Sequence, residues 1–419
     1  MACRHFIVPP HLLRGIAESK VNPDHIRKAA LQSLGAREKL TKVRCDRFAA
    51  LATPRGYQRS GEGPSGVQRQ QIVPPDMLRN ISESEQVDEP ARVRAKRDLE
   101  HLEGLMGQKQ AQSSTQQTLS ASKDSKKESP HRAIYDAKNT SDETELPGKL
   151  IRSEGEDKVK DKAVNDAYEN VGTVLEFYKK HFKWNSIDNK NMDVISSVHF
   201  GEAYENAFWD PERLQMVFGD GGDFLNNFTG CIDVIGHELT HAVTEHTSPL
   251  DYSGQPGALN EHVSDVFGIM VKQQVQDEKS DVADWLIGED CILPGVKGVA
   301  LRSMKAPGTA YDDPRFGKDP QPAHMKDYKA MVDDNGGVHI YSGIPNRAFY
   351  LASVAFGGYS WEKAGQIWWK SMNSGKIAAR SQFRQFADVT VETAEEEFGE
   401  DAAKIVRKAW TDVGVTRSI

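Results

Sequence analysis

Apolar residues recur every three to four positions through Val164, Ala167, Val171, Val174, Leu175 and Tyr178, which predicts a helix over 163–182. The period then shortens. Residues 194–200 and 215–218 are brief β-branched or aromatic runs and predict two strands. The second runs into Gly219-Asp220-Gly221-Gly222-Asp223, which reads as a tight hairpin turn in preference to a calcium loop. Helical spacing returns without a proline over 232–244, and Leu259, Val263, Val266, Phe267 and Met270 mark one buried stripe on the next helix. Beyond residue 340 the pattern predicts helices over 344–355, 360–372, 381–398 and 401–413, with Pro345 tolerated in an early turn. The expectation is an α+β fold, a sheet-containing first part followed by a helical one.

The N-terminal third has a different texture. Residues 5–19 (HFIVPPHLLRGIAES) align with 70–84 (QQIVPPDMLRNISES), nine of fifteen positions being identical. Each copy reads as an extended Ile-Val-Pro-Pro segment entering a short helix, with Leu13 and Ile16 or Leu78 and Ile81 turned inward. Two copies are too few for a solenoid. A Gly/Pro/Arg/Ser-rich linker, 52–69, separates segment 1–51 from segment 70–106, in which 92–105 reads as a charged helix. Residues 107–130 are polar and of low complexity, a disordered linker and processing region before the globular chain begins at 131.

At 419 residues the chain can hold two or three domains. No run of 18 apolar residues spans a membrane, and Pro9 and Pro10 interrupt the only apolar stretch near the start, so neither anchor nor signal peptide is expected. Synthesis in the cytoplasm, with residence there or leaderless export, follows from that. Residues 1–130 carry 22 basic and 15 acidic side chains, net +7, leaving 31 and 46, net −15, for the rest. A basic precursor segment is thus drawn to an acidic body. The basic residues are interspersed with acids and form no nucleic-acid-binding module. Four scattered cysteines give no disulfide framework. Cys231 and Cys291 could pair under oxidising conditions, and neither Cys3 nor Cys45 sits in a metal-ligating motif.

The chemistry concentrates at Gly236-His237-Glu238-Leu239-Thr240-His241. Two histidines four apart on a helix point the same way and can hold one Zn²⁺, with Glu238 placed beside the open position as a base. Glu261 and Asp265 share a face of the next helix, where acids are costly unless paired or metal-bound. Glu261 then completes a His-His-Glu site, and Asp265 accepts the free N–H of a ligand histidine.

Five segments together resemble the thermolysin family of zinc metallopeptidases: GHELTHAVTEHTS (236–248), GALNEHVSDVFG (257–268), YENAFWD (204–210), LRSM (301–304) and DNGGVHIYSGIPNRAFYLA (334–352). The Pro-Pro segments look like the short precursor of the protealysin-like branch, which usually has one copy; which of the two docks here stays open. The resemblance implies a two-lobe architecture, with a sheet-containing lobe and zinc helix over 131–246 and a helical lobe over 247–419. It implies that Asn206 and Ala207 hold a peptide as an added strand, and that Arg302 meets the substrate carbonyl. Tyr252 and His339 would face the tetrahedral oxyanion, with Asp334 holding the His339 ring. Phe228, Val234 and Leu301 would line an apolar pocket, giving broad preference for cleavage before bulky hydrophobic residues. Asp233, Asp284 and Glu289 match calcium carboxylates, but Lys272 and Leu286 stand where two more are expected, so one calcium site at most is implied.

The expectation is a zinc endopeptidase made as a latent precursor, a monomer acting on peptides or proteins through water attack with Glu238 as base, and inhibited by its own prosegment. Two alternatives compete: a zinc hydrolase of a non-peptide amide, and a catalytically silent scaffold with structural zinc. The Asn206-Ala207 segment argues against the first and retention of Glu238 against the second.

Overall fold

The computed structural model describes residues 5–6, 8–35, 128–211, 213–222, 225–313 and 317–417. The second Pro-Pro copy, the expected helix over 92–105, the linker 52–69, nearly all of 107–130 and both Cys3 and Cys45 lie outside them.

Strand β1 (His5–Phe6) and helix α1 (Pro10–Glu18) come first, followed by helical residues 24–35, here α2. Pro9 caps α1 in extended conformation and Pro10 occupies its first turn, where the missing N–H costs nothing. As the pattern predicted, Leu13 and Ile16 are buried. The main sheet adds β2 (Arg132–Asp136), β3 (Lys149–Ser153), β4 (Val194–Val198), β5 (Ala207–Asp210) and β6 (Gln215–Phe218). Its order is β1-β5-β6-β4-β2-β3. β4 runs parallel to both β2 and β6, while β5 is antiparallel to β6 and β1 antiparallel to β5.

Helix α3 (Lys162–Phe182) packs between this sheet and the helices that follow. Asp161 caps it by accepting from Ala163 N at 2.9 Å. The Tyr178 ring stacks on Phe267 at 5.4 Å, and its hydroxyl lies 2.7 Å from Thr240 Oγ1, joining α3 to the next two helices. Those are α4 (Ile232–His246) and α5 (Gly254–Gln276). Short strands β7 (Leu286–Ile287), β8 (Arg302–Ser303), β9 (Asp312–Asp313) and β10 (Gly317–Lys318) lead to the helical part. That part comprises α6 (Asp333–Tyr341), α7 (Gly343–Phe356), α8 (Lys363–Asn373), α9 (Phe383–Phe398) and α10 (Glu400–Asp412). The expected helices match these to within a few residues.

The glycine-rich stretch after β6 does reverse the chain, with Gly222 N donating to Leu225 O at 2.8 Å, but among the described residues no strand follows it to pair with β6. β6 has its antiparallel partner behind it in the chain, in β5, and the turn instead presents Asp220 to His199 at 2.8 Å. The strand predicted to run to Phe200 stops at Val198, because His199 turns into left-handed conformation at φ 57°.

Candidate active site

Helix α4 is buried almost all round, so its polar residues face protein rather than solvent. His237 and His241, one turn apart, bring their Nε2 atoms to 3.0 Å. Glu261, from α5, puts Oε2 at 3.4 Å from His237 Nε2 and Oε1 at 3.6 Å from His241 Nε2. All three residues are buried, and among the described residues theirs is the one set of His, Cys, Asp and Glu donors that converges as a metal site does. Three donors facing one point, none of them exposed, fit a tetrahedral ion with one position open.

Two glycines allow this approach. A Cβ on Gly268 would come within 2.5 Å of the Asp233 carbonyl, and one on Gly236 within 3.0 Å of the Gly268 Cα. The helices therefore touch backbone to backbone there, which brings Glu261 within reach of the histidines.

Behind the donors lies a closed polar layer. Asp265 Oδ1 accepts from His237 Nδ1 at 2.8 Å and from Arg302 Nη2 at 2.6 Å; its Oδ2 accepts from Arg302 Nε at 2.8 Å and Asn346 Nδ2 at 2.9 Å. The carboxylate stays well below its usual range: burial opposes ionisation, but Arg302 and His237 outweigh it. Burial also works against a charged His237, yet Asp265 and Glu261 raise it to about 9. His241 moves the other way, to about 3, through burial and the neighbouring His237 charge. Its Nδ1 faces Asn260 Oδ1 and Ser264 Oγ, each at 2.9 Å.

Glu238 is fully buried, and no side chain among the described residues bonds to its carboxylate, which the Trp209 backbone approaches. Burial pushes it up to about 8, with His237 pulling down. A carboxylate kept without a side-chain partner at this depth is expensive unless it has a charge or a proton to handle.

The remaining expected residues converge from three directions. Tyr252 donates to Glu261 Oε1 and lies 3.3 Å from His339 Nε2. His339 Nδ1 is 2.7 Å from Asp334 Oδ1, and its backbone N–H donates to Asp334 Oδ2 at 2.8 Å. Asp334, Asn335, Gly336 and Gly337 all take left-handed φ, a kink that folds the aspartate back onto the ring. At Gly337 a Cβ would strike the Tyr341 ring at 2.6 Å. Arg302 was expected at the substrate carbonyl; the structure engages its Nε and Nη2 with Asp265. Phe228, Val234 and Leu301 are buried in one apolar cluster.

β5 is not a bare edge. β1 already pairs with it, His5 opposite Trp209 and Phe6 opposite Phe208. Val8 N donates to Asn206 Oδ1 at 2.9 Å, and Asn206 Nδ2 donates to Val8 O at 3.4 Å.

At the expected calcium carboxylates the Lys272 ammonium lies 2.9 Å from Glu289 Oε2, 3.2 Å from Asp284 Oδ2 and 3.1 Å from the Leu286 carbonyl. Asp233 Oδ2 instead accepts from Gly288 N at 2.7 Å. Cys231 and Cys291 are buried free thiols with their sulfurs in contact.

Asn260, Ser264, Asn346 and Gln321 were not singled out from sequence. Gln321 donates to the His339 carbonyl at 2.6 Å. The signal for Asn260 and Asn346 was there: each is an amide set among apolar residues on a helix that must bury it, and such a group needs a partner.

Three stretches of the chain match described families. Residues 103–245 match the thermolysin metallopeptidase catalytic domain, 248–415 the thermolysin metallopeptidase alpha-helical domain, and 70–114 the protealysin propeptide. Protease PrtS of Photorhabdus sp. (strain Az29) is 46% identical over 82% of this chain and 91% of its own length. The extracellular metalloprotease of Pectobacterium carotovorum subsp. carotovorum is 44% identical over 82% and 96%. The solved precursor of protealysin from Serratia proteamaculans superposes with a TM-score of 0.67 at 47% identity, covering 82% of this chain and 99% of that one.

Proposed function

The chain belongs to the thermolysin family of zinc metallopeptidases, and from that premise we propose how its own residues carry out peptide hydrolysis. It is a zinc-dependent endopeptidase with a propeptide of the protealysin type. His237, His241 and Glu261 would hold the ion. Zinc, when bound, supplies a Lewis acid that polarises the scissile carbonyl and brings the pKa of a ligated water to about 7.

Glu238 then takes the water proton and passes it to the leaving amine. The observation that carries this is a carboxylate with no side-chain partner, buried on the ligand helix beside His237 and raised to about 8 by that burial. Asp265 fixes the His237 tautomer through the Nδ1 contact and anchors Arg302. Tyr252 and His339 donate to the oxyanion as the carbonyl becomes tetrahedral, with Asp334 orienting the His339 ring. Asn206 and Ala207 hold the substrate backbone as an added strand beside β5. Phe228, Val234 and Leu301 favour a bulky apolar residue after the cleaved bond.

Calcium has a weaker claim. The Lys272 contacts support a tethered ammonium doing a cation's work at Asp284 and Glu289. No helix among the described residues is long and apolar enough to cross a membrane. Relatives named as extracellular metalloproteases support action outside the cell. The enzyme is read as a monomer acting on peptides and proteins.

Glu238→Gln tests the base assignment. Hydrolysis of a peptide should fall by about 10²–10⁴-fold while zinc content is unchanged. A variant that keeps both zinc and full activity would end it.

A further inference from the structure

The Ile-Val-Pro-Pro motif occurs twice, and the protealysin propeptide description matches residues 70–114, the second copy. The structure seats the first. Its strand β1 extends the sheet along β5, antiparallel, and Val8 exchanges two hydrogen bonds with the Asn206 side chain. Val8 is fully buried and shares an apolar cluster with Phe228, Val234 and Leu301. Pro9 and Pro10 then turn the chain into α1, which buries Leu12, Leu13 and Ile16. His11 Nε2 reaches Tyr311 OH at 2.7 Å.

We propose that this first copy, residues 5–16, is the segment that closes the substrate cleft, and that the His11–Tyr311 contact sets its preference over the second copy. The occupant enters as a substrate would, as a strand on β5, but the pairing covers His5 and Phe6 and gives way at Val8 to the Asn206 side chain. The two prolines that follow offer no N–H donors, and they start a helix in place of further strand. The second copy retains Ile72-Val73-Pro74-Pro75, Leu78 and Ile81, so its apolar contacts could be reproduced. Gln70, Gln71, Asn80 and Ser82 also replace His5, Phe6, Gly15 and Ala17, but the change at the contact itself is Asp76, which stands where His11 does. A carboxylate there could only accept from the Tyr311 hydroxyl, and it would carry its charge beside Asp319, which Arg302 offsets only in part. The inference rests on reading the β5 cleft as the substrate channel.

The test has two arms. In full-length Glu238→Gln protein, which the base assignment predicts cannot cut itself, amide exchange of β5 is compared for Leu13→Asp and Leu78→Asp. Faster exchange at 207–210 in Leu13→Asp alone is expected. Faster exchange in Leu78→Asp alone, in both equally, or in neither overturns the proposal. This arm needs no activity, so it stands apart from any failure of the protease reading.

The second arm covers the case in which Leu13→Asp does not fold. Synthetic peptides of residues 4–19 and 69–84 are titrated against matured wild-type enzyme. The first should inhibit about tenfold more tightly, the worth of one net hydrogen bond, and His11→Asp in it should erase that margin. Equal inhibition, or tighter inhibition by 69–84, overturns the proposal.

Discussion

Asp265 serves three groups with one carboxylate: Oδ1 meets His237, both oxygens hold Arg302, and Oδ2 accepts from Asn346. Asp265→Asn keeps the shape but loses the charge, so zinc affinity should drop about 10–100-fold, measured by competition with a chelator. His339→Gln removes a donor proposed to act only in the transition state. There kcat should fall about 10²–10³-fold with KM nearly unchanged; a rise in KM alone would count against the role. At this scale the sequence spoke clearly where spacing carries meaning. His237 and His241 declare themselves by being four apart. His339 does not, because a histidine beside Gly-Gly acquires its role only when Asp334 folds back on it. His262 makes the contrast. It lies next to Glu261, yet Asn346 and Trp368 occupy both ring nitrogens, and burial lowers it to about 4, leaving a structural histidine.

The decisive element contact is the crossing of α4 and α5. Helical periodicity located both helices, and nothing in a one-dimensional pattern gives their separation. Gly236 and Gly268 set it by letting the backbones meet. Gly268→Ala, with its Cβ 2.5 Å from a carbonyl, should push α5 outward. We expect a stability loss of about 1–3 kcal/mol, as for overpacking elsewhere, together with weakened zinc binding. Thermal denaturation with and without zinc reads both; an unchanged melting curve would mean the crossing tolerates the methyl. The turn after β6 shows the same limit. Glycine and aspartate mark a reversal, but not which strand is the partner, and here pairing goes backwards to β5.

Across the whole molecule, two charge clamps join segments far apart in sequence. His199 bridges Asp161, the cap of α3, and Asp220, in the loop after β6, at 2.8 Å each. The Asp220 contact, against partial burial and with help from Asp161, raises the imidazole to about 9. A histidine raised above its unfolded value near 6.5 contributes fully below that pH and loses its contribution as pH rises through about 9. Wild-type stability should thus decline between pH 6.5 and 9 in a way that His199→Asn abolishes; parallel curves for the two proteins would refute the clamp. Lys272, itself buried, ties α5 to Asp284 and Glu289. Lys272→Met should cost about 2 kcal/mol, less than a wholly buried pair because both carboxylates are partly exposed. Calcium chelation should leave the wild-type melting temperature in place; a marked fall would restore an ion to that site.

The chain by itself pointed to the helices, the α+β class, the three donors that converge and the base proposed beside them. These follow from local rules, since periodicity, i to i+4 spacing and the cost of acids on an apolar stripe act within one or two elements. The tertiary structure decided what depends on distance between remote residues. It set the backbone approach at Gly236 and Gly268, the reach of Asn260 and Asn346 into the polar layer, and the ammonium that faces Asp284 and Glu289. It also placed the first Pro-Pro segment, with Val8 on Asn206 and His11 on Tyr311. The two segments share most of their apolar residues, so pattern alone does not give these contacts, which depend on residues some 200 and 300 positions away.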